Sequence, residues 1–597
     1  MINLKGPSRL GGTNLKWQYF PADYKLQKIL SVGLNISPVT AQLLINRGIK
    51  TVSEARQFIQ PQLAGLSDPL KMAGMAKACR RIEQAFQKNE KIVIYGDYDV
   101  DGISGTVLLV RLFELMGHPV AFYIPHRLED GYSLNRKAID RFVNDKVNLV
   151  ITVDCGSSSI NEAAYAQTKG VDIIITDHHR CGALLPEVVA LINPMMANAG
   201  EPSGPRSEPV IPLSGVAVAF KLAWALTQNF SDAKKSSREF HDFLMDAISL
   251  VTLGTIADVV PLIGENRILV SYGLEALRQT GIPGLKALMA QCNLGAAPLS
   301  TSDISFRIAP RLNAGGRLGS AEAGVELFLS RSEERIKEIV EQLEVANRKR
   351  QKIQKDIIGE VISDIQAEYD LDQEPVIVLA GENWHPGVLG VVAAKIAEEF
   401  YRPTILISLM GEKCRGSGRS IPSFHLYNAL NDCREILTSF GGHAYAAGLE
   451  IAREQIPRLR EILNDRAQQQ LPKESLIPIL KIDAEIPFAV IDRSLLTEIF
   501  HLAPFGEANR EPIFSSGGAE IVGVPKLMGS KNNEMAFFVR QNNRTFRAVG
   551  FKMGSRIDEL VDSEHRNVNI VYTLKLNRWQ GEESIELILK DFKVDKT

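Results

Sequence analysis

The 597-residue sequence predicts an α/β protein made of four parts: a parallel-sheet domain, a long connecting helix, a second, smaller α/β domain and a C-terminal domain of antiparallel strands. Three observations predict this. The β-branched runs Ile92-Val93-Ile94-Tyr95, Leu149-Val150-Ile151-Thr152-Val153 and Ile173-Ile174-Ile175-Thr176 are separated by stretches of helical periodicity, the pattern of a parallel sheet. Residues 333–369 are heavily charged and free of proline, as in a helix that spans two domains. Segments 520–524, 535–539 and 568–574 alternate as antiparallel strands do, with turns supplied by Gly529 to Asn533 and by Asn542-Asn543.

Taken in order, residues 1–70 read as a helical preface to the first α/β domain, which occupies 71–330 and opens with a charged helix near 71–89. Within it, Asn198 to Pro212 is rich in Pro, Gly and Ser and reads as an irregular loop. The connecting helix covers 331–370, with Ile336, Ile339, Val340, Leu343, Val345 and Ala346 as an interrupted apolar stripe; the heptad is not sustained, which argues against a coiled coil. The second α/β domain covers 371–467 and opens with the strand Val376-Ile377-Val378-Leu379, and the antiparallel domain covers 475–597.

Length suggests about four domains, and 45% hydrophobic residues suffice for several cores. Lys+Arg 68 against Asp+Glu 70 gives a formal net charge of −2, so no global positive field points to nucleic acid and any such track must be local. Cys79, Cys155, Cys181, Cys292, Cys414 and Cys433 are scattered without a C-x-x-C pair, which argues against a disulfide framework and fits a reducing compartment. The segment starting at Met1 lacks a cleavable apolar core, and no apolar span reads as long enough to cross a bilayer; the expectation is a cytoplasmic protein with no membrane association.

The strand ends carry the chemistry. After the first run, Asp97-Tyr98-Asp99-Val100-Asp101-Gly102 crowds three carboxylates into a strand-to-helix turn, where they repel one another unless a cation compensates them. The turn matches the first half of a calcium loop, but such a loop needs an entering helix and a Glu at its twelfth position, which is Leu108. The second run leads into Asp154-Cys155-Gly156 and the third into Asp177-His178-His179; in a parallel sheet these ends lie together. Asp258, near the end of an apolar helix read from Asp246 to Val260, would be costly to bury without a partner or a metal. No Ser-His-Asp or Cys-His arrangement and no nucleotide-binding P-loop competes with this reading.

These residues resemble the DHH phosphoesterases, and among them the bacterial exonucleases specific for single-stranded DNA. The resemblance covers nearly the whole chain and rests on motifs in order: Gly96 to Gly102, Val153-Asp154-Cys155-Gly156, Asp177-His178-His179, Ala257-Asp258-Val259-Val260-Pro261, Arg311-Leu312-Asn313-Ala314-Gly315-Gly316-Arg317, Trp384-His385-Pro386-Gly387, Ser417-Gly418-Arg419-Ser420 and Gly441-Gly442-His443-Ala444. It implies that Asp99, Asp101, Asp154, His178 and Asp258 ligate two divalent ions, with Asp154 as the bridge. His179 would touch the phosphate beside them, so that Asp154, His178 and His179 form the catalytic group. Asp97 would support the loop from behind. Mixed carboxylate and imidazole ligands suit manganese, with magnesium as substitute.

For the second α/β domain, called DHHA1 in the family, the resemblance implies a role in substrate binding. The helix beginning at His385-Pro386-Gly387 offers free N–H groups to a phosphate, and Arg415 to Ser420 offers guanidiniums and hydroxyls among small residues. Ser417, Arg419 and His443, with Arg311 and Arg317 from the first domain, are expected to form a cleft that grips a strand near its 5′ phosphate; Arg127 is a further candidate contact.

The C-terminal domain is expected to be an OB-type barrel, with Phe537, Phe538, Arg540, Arg544, Phe546 and Arg547 as candidate contacts of which half must face the core. Pro504 to Asn509 matches a family signature except that Ala508 stands where Gly is usual. The expected activity is metal-dependent 5′-to-3′ hydrolysis of single-stranded DNA to 5′-mononucleotides, in recombination and repair, by a monomer working with a helicase and a single-strand-binding protein. The alternatives are a DHH phosphoesterase acting on cyclic dinucleotides, oligonucleotides or polyphosphate, and a non-catalytic single-strand-binding scaffold.

Overall fold

The structure is a computed structural model that describes residues 15–127, 130–131, 133–196, 212–228, 237–295, 297–561, 567–579 and 581–594. Most of the expected loop at 198–212, and Tyr132, lie outside the described residues. The chain divides into two compact units: residues 57–350 with 503–510, and residues 1–56, 351–502 and 511–597.

The strands, in chain order, are β1 Lys16–Tyr19, β2 Ile92–Gly96, β3 Ala121–Tyr123, β4 Leu149–Val153, β5 Asp172–Thr176, β6 Ala190–Ile192, β7 Ile377–Glu382, β8 Thr404–Leu409, β9 Lys413–Arg419, β10 Leu437–Gly442, β11 Ala446–Ala452, β12 Ile479–Ile482, β13 Ala484–Glu485, β14 Phe514–Met528, β15 Glu534–Gln541, β16 Arg544–Gly550, β17 Asn567–Trp579 and β18 Glu582–Val594.

In the 57–350 unit, five parallel strands take the order β3-β2-β4-β5-β6. Successive side chains of a strand point to opposite faces, and the two faces have separate cores. Ile92, Ile94, Ile151 and Ile174 join the helices Met75–Gln87, Val100–Leu115 and Gly215–Thr227, whereas Val93, Tyr95, Val150, Ile173 and Ile175 pack on Ala138, Ile139, Phe142 and Ala166 of Arg136–Asn144 and Ile160–Thr168. Both faces are covered, which is why these strands read as continuous apolar runs. The strand order reverses at β2, flanked by β3 on one side and β4 on the other, so a crevice opens beyond their carboxyl ends.

The α/β pattern stops earlier than expected. From Leu213 to Ser330 the described residues contain helices and no strand, because the apolar stretches there run 13 residues in Gly215–Thr227 and 20 in Arg238–Ala257, too long for strands. The second of these helices is long and apolar enough to cross a bilayer by length and composition, but 67% of its most apolar window is buried and it packs in the core of this unit.

The connecting helix runs Glu333–Glu368, 36 residues or about 54 Å at 1.5 Å per residue. The boundary between the units falls within it, between Arg350 and Gln351. Ile336, Ile339, Val340 and Leu343 are buried on its first half and Ile357, Val361 and Ile365 on its second. Val345 does not belong to the stripe. Two residues beyond Leu343, it turns about 200° around the axis and is exposed.

In the other unit, β10-β11-β9-β8-β7 form a mixed sheet in which only β7 and β8 pair in parallel. β14-β15-β16-β18-β17 closes into a barrel through the β14–β17 pairing. The N-terminal segment is largely helical, as expected, but residues up to Arg56 pack in this unit rather than as a preface to the parallel-sheet domain. β1 pairs with β12, the Trp17 indole donates to Asp591 at 2.7 Å, and the Ser37 backbone and hydroxyl both donate to Glu498, at 2.9 and 2.7 Å. These partners lie hundreds of residues away, so local sequence could not reveal them.

Ala508 has φ +59, so the backbone keeps the left-handed turn that glycine would adopt freely. A left-handed alanine costs about 1–2 kcal/mol, offset in part by the greater freedom of glycine in the unfolded chain. Ala508→Gly is therefore expected to stabilise the 57–350 unit by about 0.5–1 kcal/mol, read as a raised urea midpoint; a lowered midpoint would contradict the turn geometry.

Candidate metal centre

The acidic turn begins where β2 ends. Asp99 caps the helix Val100–Leu115, its carboxylate accepting from the N–H groups of Asp101 and Gly102 at 2.9 and 3.2 Å. Gly102 is required by close approach: a Cβ there would stand 2.5 Å from the Asp97 backbone. Asp101 is buried and receives the first N–H groups of a different helix, from Gly215 at 2.6 Å and Val216 at 2.9 Å. A helix N-terminus stabilises an anion, so this bond pins a carboxylate that would otherwise be expelled by its neighbours.

Asp154 follows β4 with φ +64, a left-handed conformation that Asp tolerates better than most side chains. Its Oδ1 stands 3.0 Å from His178 Nε2, which also lies 3.6 Å from an Asp258 oxygen and 3.8 Å from Asp101 Oδ2. Asp258 reaches the group as the C-cap of Arg238–Ala257. Three sets of ligand atoms lie within 4.8 Å of one another: Asp154, His178 and His179; Asp101, His178 and Asp258; and Asp97, Asp99 and Asp154. Asp154 and His178 each belong to two of them.

The site fits divalent ions on its own evidence. Asp97 Oδ1, Asp154 Oδ1 and His178 Nε2 are buried without a hydrogen-bond partner among the described residues, a costly state for polar atoms unless something else binds them. Burial, then the neighbouring carboxylates, push Asp97 and Asp154 well above the usual range, Asp101 to about 7 and Asp258 to about 8. Burial and the adjacent His179 lower His178 to about 4, which leaves it neutral, the form that ligates metals. Asp97, expected to support the loop from behind, has an oxygen within 4.8 Å of ligand atoms of Asp99 and Asp154, and its Oδ1 is buried without a partner among the described residues.

Asp177, which the motif gives no separate role, organises the histidines. It accepts from the N–H groups of Ser157, His178 and His179 at 2.8, 2.7 and 3.2 Å, and contacts His179 Nδ1 at 2.8 Å. Burial opposes its ionisation, but these bonds hold its carboxyl well below the usual range. In return, against the effect of its own burial, His179 rises to about 9 through Asp177. Asn313 was likewise unassigned: its Oδ1 accepts from Val100 N at 3.1 Å, while Gly316 lies so close to Tyr98 that a Cβ would stand 2.6 Å from its carbonyl oxygen. The Arg311–Arg317 motif thus buttresses the acidic turn.

The arginines of that region divide. Arg311, expected in the cleft, is held by Glu344 at 2.7 Å and by the Arg307 carbonyl at 2.6 Å. Arg127 lies over the Tyr98 ring, 4.8 Å from its centroid, and Arg317 also acts on Tyr98 electrostatically.

In the other unit, His385 caps the helix Pro386–Phe400, its Nδ1 accepting from Gly387 at 3.1 Å. Ser417 and Arg419 share one face of β9, packed at Gly390 of that helix, and Arg419 Nη1 contacts Ser417 Oγ at 3.5 Å and the Gly418 carbonyl at 2.8 Å. His443 is exposed, near the end of the β11 that pairs with β9. A serine, an arginine and a helix start are thereby brought together, as a phosphate requires. On the barrel, Phe538 and Arg544 are exposed, Arg540 pairs with Glu520 at 2.8 Å, Phe537 is core, Phe546 packs edge-on against Phe488 and Arg547 is tied to Glu586 at 2.5 Å.

Comparison with known proteins matches residues 91–254 to the DHH family, N-terminal domain, 373–469 to the DHHA1 domain and 482–591 to the RecJ OB domain. The single-stranded-DNA-specific exonuclease RecJ of Bacillus subtilis is 35% identical over 586 residues, covering 98% of this chain and 71% of that protein. The chain belongs to the RecJ family. The RecJ of Escherichia coli is 29% identical over 93% of the chain and 95% of its own length. The crystal structure of RecJ in complex with Mn2+ from Thermus thermophilus gives a TM-score of 0.81 at 26% identity, covering 98% of this chain and 80% of that one, and the Mg2+ complex gives 0.75. The parallel-sheet, DHHA1 and OB-barrel architecture read from the sequence is that of RecJ.

The carboxylates give this RecJ-family site a pH signature. In the metal-free protein Asp101 and Asp258 keep protons up to about 7 and about 8, against about 4 in an unfolded chain. The folded state then binds more protons than the unfolded, and stability falls as pH rises from about 4 to about 8. Manganese replaces those protons, so it is expected to raise the thermal midpoint more at pH 8 than at pH 5; an equal or smaller shift at pH 8 would place the ion elsewhere.

Proposed function

We propose that this protein is a two-metal exonuclease that hydrolyses single-stranded DNA from the 5′ end to 5′-mononucleotides. The observation that carries the reading is the group of five aspartates and two histidines at the sheet's switch point, in which Asp97, Asp101, Asp154 and His178 are buried and three polar atoms have no hydrogen-bond partner among the described residues. Asp99, Asp101, Asp154, His178 and Asp258 hold a pair of ions, with Asp97 close enough to join them. Bound manganese or magnesium supplies Lewis acidity toward the phosphate and lowers the pKa of water.

The chain's own groups do the rest. Asp177 fixes the His179 ring through Nδ1 and keeps it protonated up to about pH 9, so that Nε2 presents a proton and positive charge to the scissile phosphate. His178 stays neutral and its Nε2 remains available as a ligand. Arg127 steadies the strand beside Tyr98, and Ser417 and Arg419, with His385 and His443, hold the terminal phosphate. The barrel receives the strand through exposed Phe538 and Arg544. It also weighs against cyclic dinucleotides and polyphosphate, which offer no strand for it to hold. The protein works as a cytoplasmic monomer in recombination and repair, alongside a helicase and a single-strand-binding protein.

With manganese and end-labelled single strands, mononucleotides are expected from the 5′ end, and Asp154→Ala is expected to abolish release while leaving the circular-dichroism spectrum unchanged. Release from the 3′ end, or none, would refute the reading. Arg419→Ala should cost roughly 10–100-fold on 5′-phosphorylated strands, the worth of a charge-assisted bond, and much less on 5′-hydroxyl ones; equal losses would remove Arg419 from the phosphate.

A further inference from the structure

Asn266 lies in the first turn of the helix Gly264–Gln279 and is fully buried. Its amide nitrogen donates two hydrogen bonds, to the carbonyl of Pro212 at 2.8 Å and to that of Pro261 at 3.0 Å. Both partners are acceptors, so only one orientation of the amide satisfies them. That orientation leaves Asn266 Oδ1 buried without a hydrogen-bond partner among the described residues, a cost that the two donated bonds offset.

Both carbonyls belong to irregular segments that place metal ligands. Pro212 leads into Leu213-Ser214-Gly215-Val216. The His178 ring is hydrogen-bonded to the Leu213 backbone. Since His178 Nε2 has no partner among the described residues, that bond falls to Nδ1 and leaves Nε2 to an ion. Asp101 is held by the N–H groups of Gly215 and Val216 at 2.6 and 2.9 Å. The Ser214 hydroxyl lies 2.9 Å from that of Thr255, in the helix that Asp258 caps. On the other side, Pro261 belongs to the short stretch that follows Asp258. One amide therefore ties the segment that sets His178 and Asp101 to the segment that carries Asp258. Apolar contact has no preferred direction, whereas a hydrogen bond fixes angle as well as distance, which is what ligands held to within about 0.5 Å require.

We infer that Asn266 is a positioning residue of the metal centre, whose amide locks the Pro212 and Pro261 carbonyls together so that His178, Asp101 and Asp258 converge on the ions. This rests on the ligand set of the proposed function and goes beyond it. Three variants test it. Asn266→Leu keeps the volume and removes both donors. Asn266→Ser is milder, because a hydroxyl can still donate to one carbonyl. Val270→Ala, one turn along the same helix and buried in the same unit's core, weakens packing and leaves both carbonyls bonded.

Manganese affinity of the full chain is measured from the loss of the free-ion electron paramagnetic resonance signal, with circular dichroism recording folding and thermal midpoint. Affinity is expected to fall about 10–100-fold in Asn266→Leu and by less in Asn266→Ser. In Val270→Ala it is expected to stay unchanged although the midpoint falls. Unaltered affinity in both Asn266 variants, or an equal weakening in Val270→Ala, would overturn this inference alone. Failure of both Asn266 variants to fold would also overturn it, by making the amide a requirement of the fold rather than of the site. Absence of manganese binding by the unaltered protein would instead overturn the metal-centre reading.

Discussion

The mutual repulsion of buried carboxylates is the constraint on which this protein's site depends. Two such charges about 4 Å apart repel by about 4 kcal/mol at an effective dielectric constant of 20, and here Asp97, Asp99, Asp101, Asp154 and Asp258 crowd around two histidines. Much of the surrounding architecture opposes that repulsion. Backbone N–H groups of Asp101 and Gly102 neutralise Asp99, and the start of the helix Gly215–Thr227 holds Asp101. What backbone donors leave uncompensated is left for cations.

The same economy explains the division of labour between the two histidines. They are adjacent in sequence and their rings lie 4.5 Å apart, yet burial makes one neutral while Asp177 makes the other an imidazolium. Two side chains of one type, neighbours in sequence, thus reach opposite protonation states. The difference comes from a third residue whose carboxylate accepts from both backbones but bonds only one ring.

Much of the fold was legible because its signals are local. Runs such as Leu149–Val153 are apolar on both faces and can only be central strands of a covered sheet, and the barrel strands alternate because one face meets solvent. Legibility failed where partners are remote. Trp17 and Asp591 meet across nearly the entire chain, and Arg311, named for the cleft, is paired with Glu344. The helix Arg238–Ala257 resembles a membrane span in composition because most of its apolar window is buried in the core of its unit.

The sequence by itself determined where the candidate residues gather: acids and histidines placed just beyond β-branched runs come together at one end of a parallel sheet, since that geometry follows from the direction of the strands. It also determined the order of the domains through the motifs that mark each of them. Only the tertiary structure decided what each side chain does there. Which carboxylate oxygens approach one another, which ring Asp177 bonds and which buried atoms are left without a partner among the described residues depend on contacts of a few ångströms between distant segments. Charge, burial and hydrogen bonding are properties of those contacts, and no residue carries them alone.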